Sequence, residues 1–159
     1  MNRLEEIRKI VDGILLDQSD VSLRNEGFSH LYGVSGTGNL LALKRGLDAE
    51  LCAISGMLHD IARYKSGCSV EHARLGSIEA RKILAECKCF NEKEIELICS
   101  SIANHSNKRN IDNPYEELLK DADVLQHYLY NTNLKIAEKE IDRLNSILAE
   151  LGIQLRIES

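Results

Sequence analysis

The chain has 159 residues, of which 43% are hydrophobic and 28% are charged, and its formal net charge is −5 at pH 7. These values exclude an intrinsically disordered chain, and the length is sufficient for a single domain over residues 1–159 with its own hydrophobic core. The negative charge and the lack of a stripe of Lys and Arg argue against a nucleic-acid polymer as partner.

The composition favours an all-α fold, because Leu, Ile, Ala, Glu and Lys are plentiful while Pro114 is the only proline. Residues 1–17 mix charged side chains with Leu and Ile, so they lack the apolar centre of a signal peptide. No run approaches the roughly 20 apolar residues that cross a bilayer. We therefore expect a cytoplasmic protein that does not act at a membrane.

The cysteines point to free thiols in a reducing compartment, because their number is odd. The five are Cys52, Cys68, Cys87, Cys89 and Cys99. The C-x-C pair with one distant cysteine lacks the paired C-x-x-C spacing of structural zinc modules. The interpretation is buried or idle thiols rather than a zinc site.

Hydrophobic periodicity predicts a first helix over residues 2–16, a polar connection over 17–29 and a second helix from about 30 to 45, ended by Gly46. The second helix contains three glycines, each costing about 1 kcal/mol relative to alanine. They are Gly33, Gly36 and Gly38. This predicts a kink or a close backbone approach, with a loosely formed segment as the alternative.

A third helix is predicted over residues 49–63, with Asp48 as its cap and apolar residues on nearly all sides. Such a helix is buried, yet it carries His59 and Asp60. A buried carboxylate is costly unless it is paired, hydrogen-bonded or bound to a metal. Since adjacent helical residues point about 100° apart, Asp60 is expected to bridge or lean across the site.

Four further helices complete the prediction, over residues 71–86, from Asn91 onward, over 115–130 and over 134–151. In the second of these, His105 continues the inward face by helical spacing. The last helix has apolar residues at a/d-like spacing, which is typical of a helix that covers a core. A homodimer seam is the other interpretation of that spacing.

Histidines and aspartates form the candidate site. His30, His59, His72 and His105 fall near predicted helix ends or on the buried helix, whereas His127 stands apart from this set. With Asp60 and an aspartate between residues 120 and 123, they supply imidazole and carboxylate ligands that suit Zn, Mn, Fe or Ni.

In this arrangement the chain resembles the HD-domain superfamily. The matching segments follow the family's order over about residues 29–130: SHLYGVSGTGNLLALKRGLDAELCAISGMLHDIARY, EHARLGSIEARKIL, IANHS and LLKDADVLQ. The resemblance implies a bundle of about six to seven helices with a covering helix at 134–151. It also implies that His30, His59, Asp60 and a late aspartate bind a divalent metal (Mn, Fe, Ni, Zn or Mg), which activates water to attack a phosphate ester or anhydride.

Two residues compete for the place of the late aspartate. The family pattern of an Ala-Asp pair falls on Asp123, whereas helical periodicity places Asp121 nearer the centre of the apolar face. We favour Asp123, because the family pattern is more specific than the periodicity of a helix with uncertain ends.

His72 and His105 match positions that hold a second metal in binuclear relatives, such as bacterial diadenosine tetraphosphate hydrolases. In the alternative interpretation they bind phosphate or satisfy helix ends. We assign Arg63 to catalysis with His59 and Asp60. Three more cations are candidates for contacts with substrate phosphates, although a solvated helix end is the default for each. They are Arg74, Lys108 and Arg109.

The expected activity is hydrolysis of a small phosphorylated substrate, a nucleotide or dinucleotide. One alternative is a catalytically silent module that binds metal or nucleotide and regulates a partner through its last helix. Another is a di-iron oxygenase.

Overall fold

The structure, a computed structural model, describes residues 2–154, which form eight helical segments and no strand. The all-α class is therefore confirmed. The segments are α1 (Arg3–Leu16), α2 (Val21–Arg45), α3 (Ala49–Leu58), α4 (Ile61–Ser66), α5 (His72–Cys87), α6 (Glu92–Asn104), α7 (Pro114–Tyr130) and α8 (Glu138–Glu150). None of these helices combines the length and the apolar character that crossing a membrane requires. A single domain over residues 1–159 stays a prediction, and residues 1 and 155–159 lie outside the described part.

Helix α2 begins nine residues earlier than predicted, so the expected polar connection over 17–29 is wrong. The side chain of Asp20 caps the helix by accepting from the backbone N–H groups of Ser22 and Leu23. The polar residues of this first part face solvent, while Gly27 is buried against Leu15 and Tyr64. Leu23 and Phe28 are partly buried against the core, but two apolar side chains five residues apart are too few to predict a helix from periodicity.

The predicted helix over residues 49–63 is interrupted at His59 and Asp60, which separate α3 from α4. Asp60 has φ −111° and ψ 14°, outside the helical range. The break turns two neighbouring side chains toward the same place, which a regular helix cannot do. The expectation of one continuous helix is therefore corrected.

The core surrounds α3, whose residues 51–58 are all buried. The most extensive helix contact is that between α2 and α3, and α5 pairs with α6. Close approach depends on glycine at two positions. A Cβ on Gly56 would lie 2.7 Å from Ser35 Cα, and one on Gly76 would lie 2.5 Å from the carbonyl oxygen of His59. Gly76 therefore lets α5 approach the interruption between α3 and α4.

Helix α8 covers the core as expected, with Leu144, Ile147 and Leu148 buried. Its start was predicted at residue 134, but it begins at Glu138. Leu134 is 58% exposed in the connection before it. Arg45 on α2 holds the far end of α8 through Glu150 at 2.7 Å.

Candidate metal centre

Five parts of the chain meet at one point and bring together all six residues predicted as ligands. α2 supplies His30, and the interruption after α3 supplies His59 and Asp60. The start of α5 supplies His72, the end of α6 supplies His105, and α7 supplies Asp123. The nitrogens and oxygens of these residues form overlapping groups of three within 4.8 Å of one another. His72 is half-buried, and the other five are buried.

Each of the four histidines uses its Nδ1 to contact a carbonyl oxygen. His59 contacts Gly56 O at 2.8 Å, and His105 contacts Ile102 O at 2.7 Å. His72 contacts Ser69 O at 3.0 Å, and His30 contacts Gln126 Oε1 at 2.8 Å. A carbonyl oxygen can only accept, so Nδ1 must donate, and the neutral ring then carries its lone pair on Nε2. Protein ligands to metals are commonly oriented in this way.

The first half of the cluster consists of His30, His59, Asp60 and Asp123. The Nε2 atoms of the two histidines are 3.1 Å apart. Asp60 Oδ2 lies 3.8 Å from each of them, and Asp123 Oδ1 lies 3.5 Å from His30 and 3.9 Å from His59. Separations of about 3 to 4 Å are those expected for ligands that share one ion through bonds of ~2.0–2.2 Å. Two facing lone pairs repel, and a cation would remove the repulsion.

The second half uses the other oxygen of Asp60. Asp60 Oδ1 lies 3.5 Å from His105 Nε2 and 3.8 Å from His72 Nε2. The Asp60 carboxylate thus stands between two histidine pairs, with one oxygen toward each. The His72 nitrogen also lies 2.9 Å from Ser106 Oγ.

Two carboxylate oxygens provide a test of whether a metal fits. Asp60 Oδ1 and Asp123 Oδ1 are buried and have no hydrogen-bond partner within residues 2–154. A buried charged acceptor without a partner costs several kcal/mol by order of magnitude. A divalent cation among the imidazole nitrogens would satisfy both oxygens, so this donor set fits a metal.

The protonation states also suit a metal. Burial lowers the pKa of His59 to about 3, so its ring is neutral near pH 7. For Asp60, burial acts to raise the pKa, but the interactions with His59 and His105 together outweigh it and the pKa lies below its usual range. Burial likewise opposes ionisation of Asp123, but the Lys108 ammonium together with the neighbouring histidines holds the pKa of that carboxyl well below its usual value. Metal ligands must be neutral imidazoles and ionised carboxylates.

The two candidate late aspartates face different ways. Asp123 lies in the cluster, and its Oδ2 accepts from Lys108 Nζ at 2.5 Å. Asp121 is bound instead by Arg45 at 2.7 Å and Arg143 at 2.6 Å. The structure therefore brings Asp123 to the cluster and leaves Asp121 in an ion-pair network.

The four cationic residues predicted to take part in the site differ in their exposure and in their distance from the cluster. Arg63 NH1 lies 3.7 Å from Asp60 Oδ2, and its NH2 donates to Glu26 at 2.7 Å. Lys108 is buried beside Asp123. Arg74 is exposed and paired with Glu71, and Arg109 is exposed. Among the described contacts, neither Arg74 nor Arg109 reaches the cluster, and their role toward substrate stays a prediction.

His127, set apart in the sequence analysis, lies beside the cluster. Its ring stacks on that of His30 at 5.2 Å, and its Nε2 is 3.3 Å from Asp123 Oδ1. Glu140 on α8, 3.5 Å from Nδ1, raises the pKa of His127 above its ordinary value. The available signal was spacing, since His127 follows Asp123 by four residues on α7 and so shares its face.

A pocket of about 910 Å³ opens beside the cluster. The pocket is lined by His30, Gln126, His127 and Arg63, and also by residues of the connection between α7 and α8. That connection contributes Leu134, Lys135 and Ile136, so the pocket offers apolar surface and positive charge together. Its volume lies in the range of small-molecule sites.

Comparison with known proteins agrees with this geometry. The family model described as "HD domain" matches residues 27–128, which is more than half of the chain. The chain therefore belongs to the HD domain family.

Over 127 residues the chain is 30% identical to Ribonuclease Y of Oceanobacillus iheyensis. The match covers 79% of this chain and 23% of that protein, so the chain spans less than a quarter of this relative's length. No solved structure matches the chain.

Proposed function

We propose that the chain is a divalent-metal-dependent hydrolase of a phosphate ester or anhydride, with a nucleotide or dinucleotide as substrate. The observation that carries this proposal is the pair of buried carboxylate oxygens on Asp60 and Asp123 that have no partner within residues 2–154. They lie among histidine nitrogens whose lone pairs face them. Membership of the HD domain family supports the same activity.

His30, His59, Asp60 and Asp123 would hold one metal, and His72, His105 and the second oxygen of Asp60 would hold another. When bound, a divalent ion supplies an activated water nucleophile and positive charge for the phosphoryl oxygens. The carbonyl partners of the four Nδ1 atoms fix the ring orientations before any ligand arrives. Lys108 fixes Asp123 in the same way through its second oxygen.

Arg63 is the cation best placed to bind the substrate phosphate, because it lines the pocket and lies 3.7 Å from the Asp60 carboxylate. Its ion pair with Glu26 holds the guanidinium at the pocket wall. The apolar side chains of Leu134 and Ile136 would contact the organic part of the substrate. A pocket that offers both a cation and apolar side chains suits a phosphate joined to a base or sugar better than inorganic phosphate alone.

The test is phosphate release by metal-free protein reloaded with Mn²⁺, Fe²⁺, Co²⁺, Ni²⁺, Zn²⁺ or Mg²⁺. The substrate panel contains nucleoside mono- and triphosphates, dinucleoside polyphosphates and a short RNA. We expect hydrolysis of at least one nucleotide, dependent on the added metal and abolished by a chelator. Absence of turnover with every metal would favour the silent regulatory module.

A matched pair of variants separates the site from the fold. Asp123→Asn should lose metal and turnover, because an amide is a poorer ligand than a carboxylate. Asp121→Asn changes an equally buried aspartate two residues away, which is bound by Arg45 and Arg143. It should lower stability by roughly 1–3 kcal/mol and retain metal and turnover at a temperature where the variant is folded. Loss of metal binding in Asp121→Asn alone would exchange the two assignments.

A second candidate substrate is RNA, favoured by the identity to Ribonuclease Y. The net charge of −5 opposes it, since a polymer of phosphates is attracted to positive surfaces. Cleavage of the RNA in the panel at a rate above that of every nucleotide would overturn the nucleotide proposal. Oxygen uptake by the iron-loaded protein without phosphate release would favour an oxygenase.

A further inference from the structure

The C-x-C sequence formed by Cys87, Lys88 and Cys89 takes no part in the proposed hydrolysis. Cys87 is the last residue of α5, and Lys88 follows it with φ 55°, in the left-handed region that is uncommon for residues other than glycine. This turn folds the chain back so that the two Sγ atoms lie 2.8 Å apart. Both cysteines are free thiols.

Neighbouring residues hold this turn on its C-terminal side. Arg3 of α1 donates to the carbonyl oxygen of Cys89 at 3.3 Å, and its guanidinium lies 4.8 Å from the centre of the Phe90 ring. Asn91 and Glu94 then form a capping box that starts α6. The two sulfurs are therefore kept together by the fold on both sides, which raises the effective concentration of one thiol at the other.

We propose that Cys87 and Cys89 are a modification site, forming a reversible intramolecular disulfide by exchange with a low-molecular-weight disulfide such as glutathione disulfide. The alternative use of two close thiols is a metal site, which normally needs further ligands. Among residues 2–154, none of the groups of three candidate ligand side chains includes a cysteine. The geometry therefore favours sulfur–sulfur chemistry.

The exchange balances without another reactant. One protein thiol loses its proton and attacks glutathione disulfide, so a mixed disulfide forms and the first glutathione leaves as thiolate. The second protein thiol loses its proton and attacks the protein sulfur of that mixed disulfide, which releases the second glutathione. The two glutathione thiolates take up the two protons. The two protein sulfurs are oxidised by two electrons, and glutathione disulfide is reduced to two thiols.

Exposure distinguishes this pair from the buried thiols, and either sulfur of the pair can make the first attack. Both residues are partly exposed and accessible to a small disulfide, unlike Cys52 and Cys99, which are 2% and 3% exposed.

The bond is expected to be labile. A ring that closes over one intervening residue removes little conformational entropy from the unfolded chain, so it adds little to stability. Short and partly exposed disulfides of this kind are reduced more readily than structural ones. A reversible response to the thiol environment follows, rather than a permanent crosslink.

The sequence offers a direct measurement, because trypsin cleaves after Lys88, between the two cysteines. Residues 83–88 and residues 89–93 then form separate peptides unless a disulfide joins them. We expect mass spectrometry to find the joined peptides after equilibration of the full protein with glutathione disulfide, and separate peptides after addition of dithiothreitol. Cys68, which is exposed, should carry glutathione in the same sample and shows that the reagent reacted.

Two conservative variants test the second exchange step. Cys89→Ser should accumulate a stable glutathione adduct on Cys87, because no second thiol can displace it. Cys87→Ser should accumulate the corresponding adduct on Cys89 for the same reason. Circular dichroism checks that both variants fold. Glutathione on Cys68 with no joined peptides at any oxidant concentration, or a persistent glutathione adduct on Cys87 of the wild type, would overturn the proposal.

Discussion

Asp60 connects the two halves of the histidine and aspartate cluster, because its two oxygens face different histidine pairs. Asp60→Asn keeps the shape of the side chain but replaces a strong ligand by a poor one. We expect turnover to fall by at least about a thousandfold, equivalent to ~4 kcal/mol in activation free energy. The variant should remain folded, so that the loss of turnover reports the lost ligand and not a damaged fold.

Phosphate release, circular dichroism and metal analysis are read together for this variant. Full activity with normal metal content would remove Asp60 from the site. Loss of the helical signal would mean that the substitution had damaged the fold, and the activity of Asp60→Glu would then be compared instead.

His59 predicts how the stability of the metal-free protein depends on pH. Its pKa falls from 6.5 to about 3 on folding because the ring is completely buried. Between these values the unfolded chain binds more protons than the folded one, so stability is lost as the pH falls below about 6.5. The slope contributed by this one group is ~1.4 kcal/mol per pH unit.

Urea unfolding of metal-free protein between about pH 4.5 and 6 measures this slope, since Asp60 and Asp123 contribute mainly at lower pH. His59→Gln is the reference variant and should show a slope smaller by that amount. Equal slopes in the two proteins would contradict a neutral, buried His59.

Residue identities could largely be anticipated from the sequence, because His30, the His59-Asp60 pair and Asp123 stand in a recognisable order. His127 was not assigned to the site, although it follows Asp123 by four residues, because spacing on one helix does not show what packs against that face. The choice between Asp121 and Asp123 was also difficult from periodicity. Both are buried, and only the positions of Arg45 and Arg143 distinguish them.

The helices position the centre through the interruption between α3 and α4 and through the approach of α5 to it. A Cβ on Gly76 would lie 2.5 Å from the His59 carbonyl oxygen, a backbone atom that cannot move aside cheaply. We expect Gly76→Ala to lower the free energy of unfolding by about 1–3 kcal/mol and to weaken metal binding. Chemical unfolding and a metal titration measure the two effects.

Gly36→Ala is the matched control, because a Cβ at Gly36 meets nothing within 4 Å. Gly36 lies inside α2, where alanine should raise stability by up to about 1 kcal/mol and leave metal binding unchanged. If the two substitutions change the free energy of unfolding and metal binding equally, then helix propensity, and not the close approach of α5, explains the result at Gly76.

The elements were predictable where caps and apolar spacing agree, as for α1 and for α6 with its capping box. The interruption at residues 59–60 was not, because an apolar run continues from α3 into α4 on both sides of it. Three of the four glycines of α2, Gly33, Gly36 and Gly38, were expected to mark a kink or close packing. The structure shows a continuous helix, with Gly33 against Gln126 and Gly38 near Cys52, while Gly36 is open.

For the molecule as a whole, a network of buried charges connects α8 to the centre. Arg143 on α8 binds Asp121 and donates to the Lys108 carbonyl oxygen at 2.9 Å, while the Lys108 ammonium holds Asp123. Helix α8 thus fixes the segment that carries Lys108, and Lys108 in turn holds the candidate ligand Asp123. The all-α fold followed from composition, whereas this network depends on long-range ion pairs that no local pattern reveals.

The histidine and aspartate cluster is expected to bind divalent metal, and elemental analysis of metal per chain tests this most directly. After loading and removal of free ions, we expect about two ions in wild type. His72→Ala and His105→Ala should keep about one, whereas His30→Ala should disturb the first ion and Asp60→Asn should keep close to none.

Two outcomes would contradict these expectations. A single ion in wild type that both His72→Ala and His105→Ala retain would make these histidines phosphate contacts rather than ligands. Wild-type protein that holds no divalent metal after loading with any of the ions tested would contradict metal binding at this cluster.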